Sequence, residues 1–146
     1  MRSEKDDIHL FNQSTAELPI SEKHIRNIVQ KLSQREGCSF RLLEIVFVDE
    51  EEIVRINKEY LNHNYITDII TFRYDENEQY ENIEGTLYCC ASRIKGQAHE
   101  FDTSESSEFN RVVIHGLLHL IGYEDQSEKT QQQMTEKEDL YLSLTT

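Results

Sequence analysis

At 146 residues the chain is of a size to fold as one domain, 1–146, around a substantial core. Its 15 basic residues against 28 acidic ones leave a formal net charge of -13, without the basic excess by which proteins hold bare nucleic acid through its phosphates. No stretch approaches membrane-spanning length, and M-R-S-E-K-D-D has no apolar run behind it to act as a signal segment, so a cytoplasmic protein with no membrane partner is expected.

Residues 8–11 (I-H-L-F) read as a first strand, with His9 packed rather than ligating. The loop after it carries the only proline, Pro19, and ends at Ser21, a good helix N-cap. Ile25, Ile28, Val29 and Leu32 then recur at helical spacing up to Gly37, which predicts an amphipathic helix over 22–35 with His24 solvated in its first turn. Residues 40–48 (F-R-L-L-E-I-V-F-V) are β-rich and apolar enough for an interior strand. Asp49 caps a second helix, whose core face is read as Ile53, Ile56 and Tyr60, flanked by Val54 and Leu61. Glu50, Glu51, Glu52 and Glu59 form a solvated charge run on it.

Strands are expected over 69–74 and 85–91, separated by D-E-N-E-Q-Y-E-N, whose acidic and poorly apolar composition predicts a mobile loop. Cys89 and Cys90 are neighbours in the later strand, so their side chains point to opposite faces. With Cys38 they read as reduced, structural thiols. A short helix follows over 94–101 with His99 exposed, and D-T-S-E-S-S supplies the cap of the next helix. Residues 126–144 are charged, with sparse apolar positions at Met134, Leu140, Tyr141 and Leu144, and read as a final helix lying on the surface. Strands and helices in this order point to an α+β domain, a mixed sheet of about four strands covered by helices.

One stretch carries the chemistry, residues 109–125, F-N-R-V-V-I-H-G-L-L-H-L-I-G-Y-E-D. Its apolar residues run almost all round a helix, so it should be buried on most sides. His115 and His119 are four residues apart and stack on one face, close enough to bind a single ion. Buried imidazoles need partners, since an unsatisfied buried polar group costs about 1 to 3 kcal/mol, and a Zn²⁺ or similar divalent ion would satisfy both. Gly122 marks a left-handed helix stop, and the reversal after it could return Asp125 over the histidine face as a third ligand, with Glu124 the competing carboxylate.

The run H-G-L-L-H-L-I-G-Y-E-D resembles the signature of the YbeY family, H-G-x-L-H-L-x-G-Y-D-H, bacterial endoribonucleases linked to ribosomal RNA maturation. His115, Gly116, Leu118, His119, Leu120, Gly122 and Tyr123 fall in register, and Asp125 stands where the family commonly has a third metal-binding histidine. A second block, N-K-E-Y-L-N-H-N-Y-I-T-D-I-I-T-F, is similar to the family's N-x-x-Y-R-x-x-D-x-P-T-D-V-L-S-F. Asn57, Tyr60, Thr67, Asp68 and Phe72 match, but Leu61 replaces an arginine, Asn64 an acid and Ile66 a proline. The resemblance covers nearly the whole chain. It implies the same α+β architecture around a central metal-binding helix in a zincin-like arrangement, with metal ligands His115, His119 and, at the third position, Asp125.

The function so implied is metal-dependent, single-strand-specific cleavage of RNA phosphodiesters in small-subunit ribosomal RNA maturation and ribosome quality control. Its partners would be ribosomal RNA, the small ribosomal subunit and a basic ribosomal protein, to which the acidic surface is suited. Losing a fixed cation at Leu61 weakens the cleavage reading. It leaves open a metal-stabilised factor that binds the ribosome without catalysis. A zinc protease, which shares helical H-x-x-x-H, would place a general-base glutamate where this chain has Gly116.

Overall fold

The computed structural model describes residues 7–75 and 79–145. Strand β2 (Phe40–Val48) is the spine of a four-stranded sheet in the order β1-β2-β4-β3. It lies parallel to β1 (Asp7–Asn12) on one side and to β4 (Ile83–Cys90) on the other, while β3 (Ile69–Arg73) closes the far edge antiparallel to β4. The sheet is therefore mixed, as the sequence predicts. Around it the described residues form α1 (Glu22–Glu36), α2 (Glu50–Leu61), α3 (Ala91–Glu100), α4 (Glu105–Leu120) and α5 (Glu128–Thr145). None of these helices is long and apolar enough to cross a membrane.

The two-residue period of a strand sorts the core onto two faces. Leu43, Ile45 and Phe47 of β2 point into the main core with Ile25, Ile28 and Leu32 of α1, Ile94 of α3 and the apolar side of α4. Val46 and Val48 point the other way, into a smaller cluster with Ile53 and Ile56 of α2. Cys89 and Cys90 divide in the same manner, one to each cluster, and both are free and fully buried. Burial pushes the Cys89 thiol well above its usual range.

Several expectations need correction. Tyr60 is not in the core of α2: it is 60% exposed, lying edge-on to Phe72, and the buried place goes instead to Asn57. His24 is not solvated. It is half-buried with Nε2 shielded, in a depression that it shares with Leu18, Pro19, Ile20 and Asn110, while its backbone N–H donates to the cap Ser21. His9, expected to be packed, keeps nearly half of its side chain exposed on edge strand β1. Strand β4 starts two residues before the predicted boundary and α3 three before its own. Of the loop read as mobile, residues 76–78 lie outside the described residues. Its flanks are held, Asp75 by Arg73 and by the Glu84 N–H, and Tyr80 and Asn82 by Ser39.

Helix α5 is the main revision. It is no surface helix, because Met134, Glu138, Tyr141 and Thr145 are buried at helical spacing while Leu144 is exposed. Tyr141 reaches Glu36 at the end of α1 with its hydroxyl. Glu36 also accepts from Tyr123 Oη at 2.8 Å and Lys137 Nζ at 3.0 Å. Burial works against charge on Glu36, but these donors outweigh it and hold the carboxyl below its usual range.

A carboxyl depressed in the folded state stabilises the fold at pH values above the unfolded carboxylate range of about 4.3, and that contribution is lost as pH falls through the lower folded value. Urea midpoints of wild type and Glu36→Gln should therefore differ at neutral pH and converge in acid. A gap independent of pH would contradict this.

Helix α4 crosses the sheet between α3 and α5 and against β3. It can lie so close because position 116 has no side chain: a Cβ on Gly116 would stand 2.5 Å from Ile69 Cδ1 and 3.1 Å from both Leu87 methyls. That contact turns His115 and His119, both half-buried, away from the sheet and toward α5 and the chain that follows.

Candidate metal centre

Ser104 caps α4 by accepting from the Ser107 N–H, and the helix ends at Leu120. Gly122 then takes a φ of +104°, a backbone that side chains rarely adopt, and the chain folds back. Two consequences follow from this turn. The Tyr123 carbonyl accepts from His119 Nδ1 at 2.9 Å, and the Asp125 carboxylate is carried over the histidine face.

Asp125 Oδ2 lies 3.4 Å from His115 Nε2 and 3.6 Å from His119 Nε2, and the two Nε2 atoms are 3.0 Å apart. Glu124, the alternative, is exposed and does not join the cluster. Asp125 is thus the carboxylate brought to the histidines, as the motif register implied.

The outer ring nitrogens determine what the inner ones can do. His115 Nδ1 donates to Glu138 Oε2 at 2.6 Å, and Glu138 Oε1 accepts from Arg111 Nη1 at 2.8 Å. With Nδ1–H committed on both rings, to a carboxylate and to a backbone carbonyl, a neutral ring turns its Nε2 lone pair toward the other Nε2, 3.0 Å away, at hydrogen-bond distance. A cation can take the place of a proton between them.

The spacings suit one. Donors about 2.1 Å from a tetrahedral Zn²⁺ are about 3.3 Å apart, close to the three separations found. Two imidazoles and one carboxylate are a donor set suited to zinc rather than to the all-oxygen preference of magnesium or calcium. Burial opposes charge on His115, yet the carboxylates of Glu138 and Asp125 outweigh it and raise the imidazole above its usual value.

Glu138 is the residue that sequence reasoning missed. It sits on the buried stripe of α5, one turn after Met134, where a carboxylate costs free energy unless paired. The sequence carries no signal that singles it out, since Glu136 and Asp139 lie beside it on the same helix.

The cluster forms one end of a groove of about 430 Å³ whose other wall is Leu61 and residues 67–71. Asp68 faces it, accepting from Gln97 Nε2 at 3.3 Å, and Gln97 bonds Glu108 at 3.0 Å behind. Burial raises the Glu108 carboxyl, partly offset by the Gln97 hydrogen bond. Among the described residues neither Lys nor Arg lines the groove. The second sequence block is therefore brought against the first, and Leu61, at the arginine position of the motif, opens directly onto the histidines' groove.

Comparison with known proteins agrees with this geometry. Residues 9–145 match the model of the family described as Endoribonuclease YbeY. A Salinibacter ruber protein named Endoribonuclease YbeY is 38% identical over 125 residues, covering 82% of this chain and 80% of its own. One of the same name from Cytophaga hutchinsonii is 34% identical over 140 residues, 96% of each. A solution structure of a Thermotoga maritima protein superposes with a TM-score of 0.62 at 28% identity, covering 93% of this chain and 87% of the other.

Proposed function

The chain belongs to the YbeY endoribonuclease family, and from that premise we propose that it is a metal-dependent endoribonuclease cutting unpaired RNA in ribosomal RNA maturation. The observation that carries the metal dependence is the convergence of His115 Nε2, His119 Nε2 and Asp125 Oδ2 at the end of an open groove. In this reading these three residues hold one Zn²⁺, and a set of three protein donors is what a catalytic rather than a structural zinc site uses. Bound there, zinc would lower the pKa of water and polarise a phosphoryl oxygen.

The chain's own residues do the positioning. Glu138 and the Tyr123 carbonyl fix both imidazoles in the tautomer that can ligate, and Arg111 holds Glu138 in turn. Leu61 and residues 67–71 wall the groove into which the centre opens, and in this reading the RNA strand lies there. The protease alternative loses ground, because Gly116 faces Ile69 and Leu87 and leaves no room for a general-base glutamate.

With no Lys or Arg lining the groove among the described residues, the acidic chain is expected to meet its substrate on the small ribosomal subunit, through a basic ribosomal protein, in the cytoplasm. Zinc analysis of the purified protein, with cleavage assays on a single-stranded RNA and on casein, tests the assignment. Zinc at one per chain and cut RNA support it. Bound zinc with intact RNA would favour a ribosome-binding factor.

Asp125 also sets the charge of the centre. Two neutral imidazoles and a carboxylate leave ion and ligands at about +1, against +2 for three imidazoles. Asp125→His should keep zinc bound and move the pH optimum of cleavage downward. An optimum that does not move would refute the charge argument.

A further inference from the structure

The rim of the groove is unusually apolar for so acidic a chain. Among the described residues nine large hydrophobic side chains are exposed, and Tyr60, Leu61, Tyr65 and Ile66 cluster within one seven-residue stretch. Asn62, with a φ of 58°, ends α2 and turns the chain outward. Buried Asn57 then clamps the excursion: its Nδ2 donates to the Tyr65 carbonyl at 2.9 Å, and its own carbonyl accepts from the His63 N–H at 3.2 Å. On this clamped loop the rings of His63 and Tyr65 lie stacked, centroids 5.2 Å apart and 18° from parallel, joined by a 3.0 Å bond between Tyr65 Oη and His63 Nδ1. Both residues are exposed, and Leu61 and Thr67 on either side of them line the groove of the metal centre.

Charge offers a strand little hold here. Among the described residues no Lys or Arg lines the groove, while Asp68 and Asp125 do; on the helix that carries Leu61, Arg55 is engaged by Glu52 and Glu59, which leaves Lys58, exposed in the last turn, as the cation near the rim. Apolar, preorganised aromatic surface offers another. Stacking on unpaired bases depends on π-faces rather than on phosphates, tolerates any sequence, and discriminates against duplexes, whose bases are already stacked.

Resting on the endoribonuclease reading above, we propose that the rim over 61–66, centred on the stacked His63–Tyr65 pair, is a platform for unpaired nucleobases of an RNA strand running into the groove. The platform supplies the grip that a basic groove supplies elsewhere, and it selects single strands.

The test is equilibrium binding, to the zinc-loaded protein, of an end-labelled unstructured RNA of about 12 nucleotides and of the same strand with abasic sugars. Tyr65→Ala and His63→Ala should each weaken binding of the intact strand by about 10-fold at unchanged zinc content, while Tyr65→Phe, which keeps the ring and loses the bond to His63, should weaken it less than Tyr65→Ala. The abasic strand should bind the wild type about 10-fold more weakly and not distinguish it from the variants. Between about 50 and 200 mM salt, affinity should fall with the slope of one or two phosphate contacts rather than many. Equal binding of intact and abasic strands, a steep salt slope, or a Tyr65→Ala protein that binds as tightly as wild type overturns the platform. If wild type binds and cuts RNA in that last case, only the platform fails; if wild type neither binds nor cuts, the endoribonuclease reading fails with it.

Discussion

Replacing His115 with Ala should abolish stoichiometric zinc binding and lower RNA cleavage by about 100- to 1,000-fold, the loss expected when several kcal/mol of metal-borne charge stabilisation is removed. His115 is the hub of the centre. Its Nε2 faces both His119 Nε2 and Asp125, and its Nδ1 links the cluster to Glu138. Truncation leaves one imidazole and one carboxylate, too few donors to compete with water for the ion.

The fold should survive, since the side chain is part-exposed at the groove and Glu138 keeps its ion pair with Arg111. Zinc content, cleavage rate and urea midpoint measured together read out the result. Wild-type zinc content in the variant would remove the basis of the proposed centre. Zinc lost with cleavage unchanged would show that the metal plays no part in the reaction.

The second large effect is expected at a residue that never touches the ion. Glu138→Gln preserves the shape of the side chain but removes the charge that orients His115 and favours its ligating tautomer. Zinc affinity should fall by about 10- to 100-fold, as is typical when the outer partner of a ligand histidine is lost. Arg111 would retain its 2.7 Å contact with Asp139, so the packing of α5 on α4 need not collapse. Competition with a chelator of known affinity gives the number directly, without reliance on activity. Asp139→Asn is the control: Asp139 is exposed and bonds only the far side of the same guanidinium, so that variant should bind zinc much as wild type does. Indistinguishable affinities for all three proteins would reduce Glu138 to a packing residue.

Much of this centre was legible before any coordinates. Local rules are short-ranged, and the site is built largely from one continuous stretch. Four-residue spacing places His115 and His119 on one face, the apolar run around them predicts burial, and Gly122 announces the turn that returns Asp125. The same logic located the cap at Ser21 and the inner strand β2, and it set Cys89 and Cys90 on opposite faces. Family resemblance decided Asp125 over Glu124, a choice that spacing alone left open, and the exposed side chain of Glu124 agrees.

What the chain could not declare by itself are contacts between elements distant in sequence. Glu138 meets His115 across 23 residues because α5 packs on α4, and nothing local to α5 distinguishes a buried acid from a solvated one. Helical period puts Tyr60 on the core side because it assigns a side without knowing what that side meets. At the C-terminal end of α2 the ring meets Phe72 of the edge strand β3 edge-on and is left 60% exposed at the rim. Periodicity therefore determined the secondary elements, the paired imidazoles and the turn beyond them. The docking of α5, the wall that 61 and 67–71 raise opposite the histidines, and the aromatic rim depend on packing over long sequence separations. Such packing is settled only when all the buried faces are satisfied together.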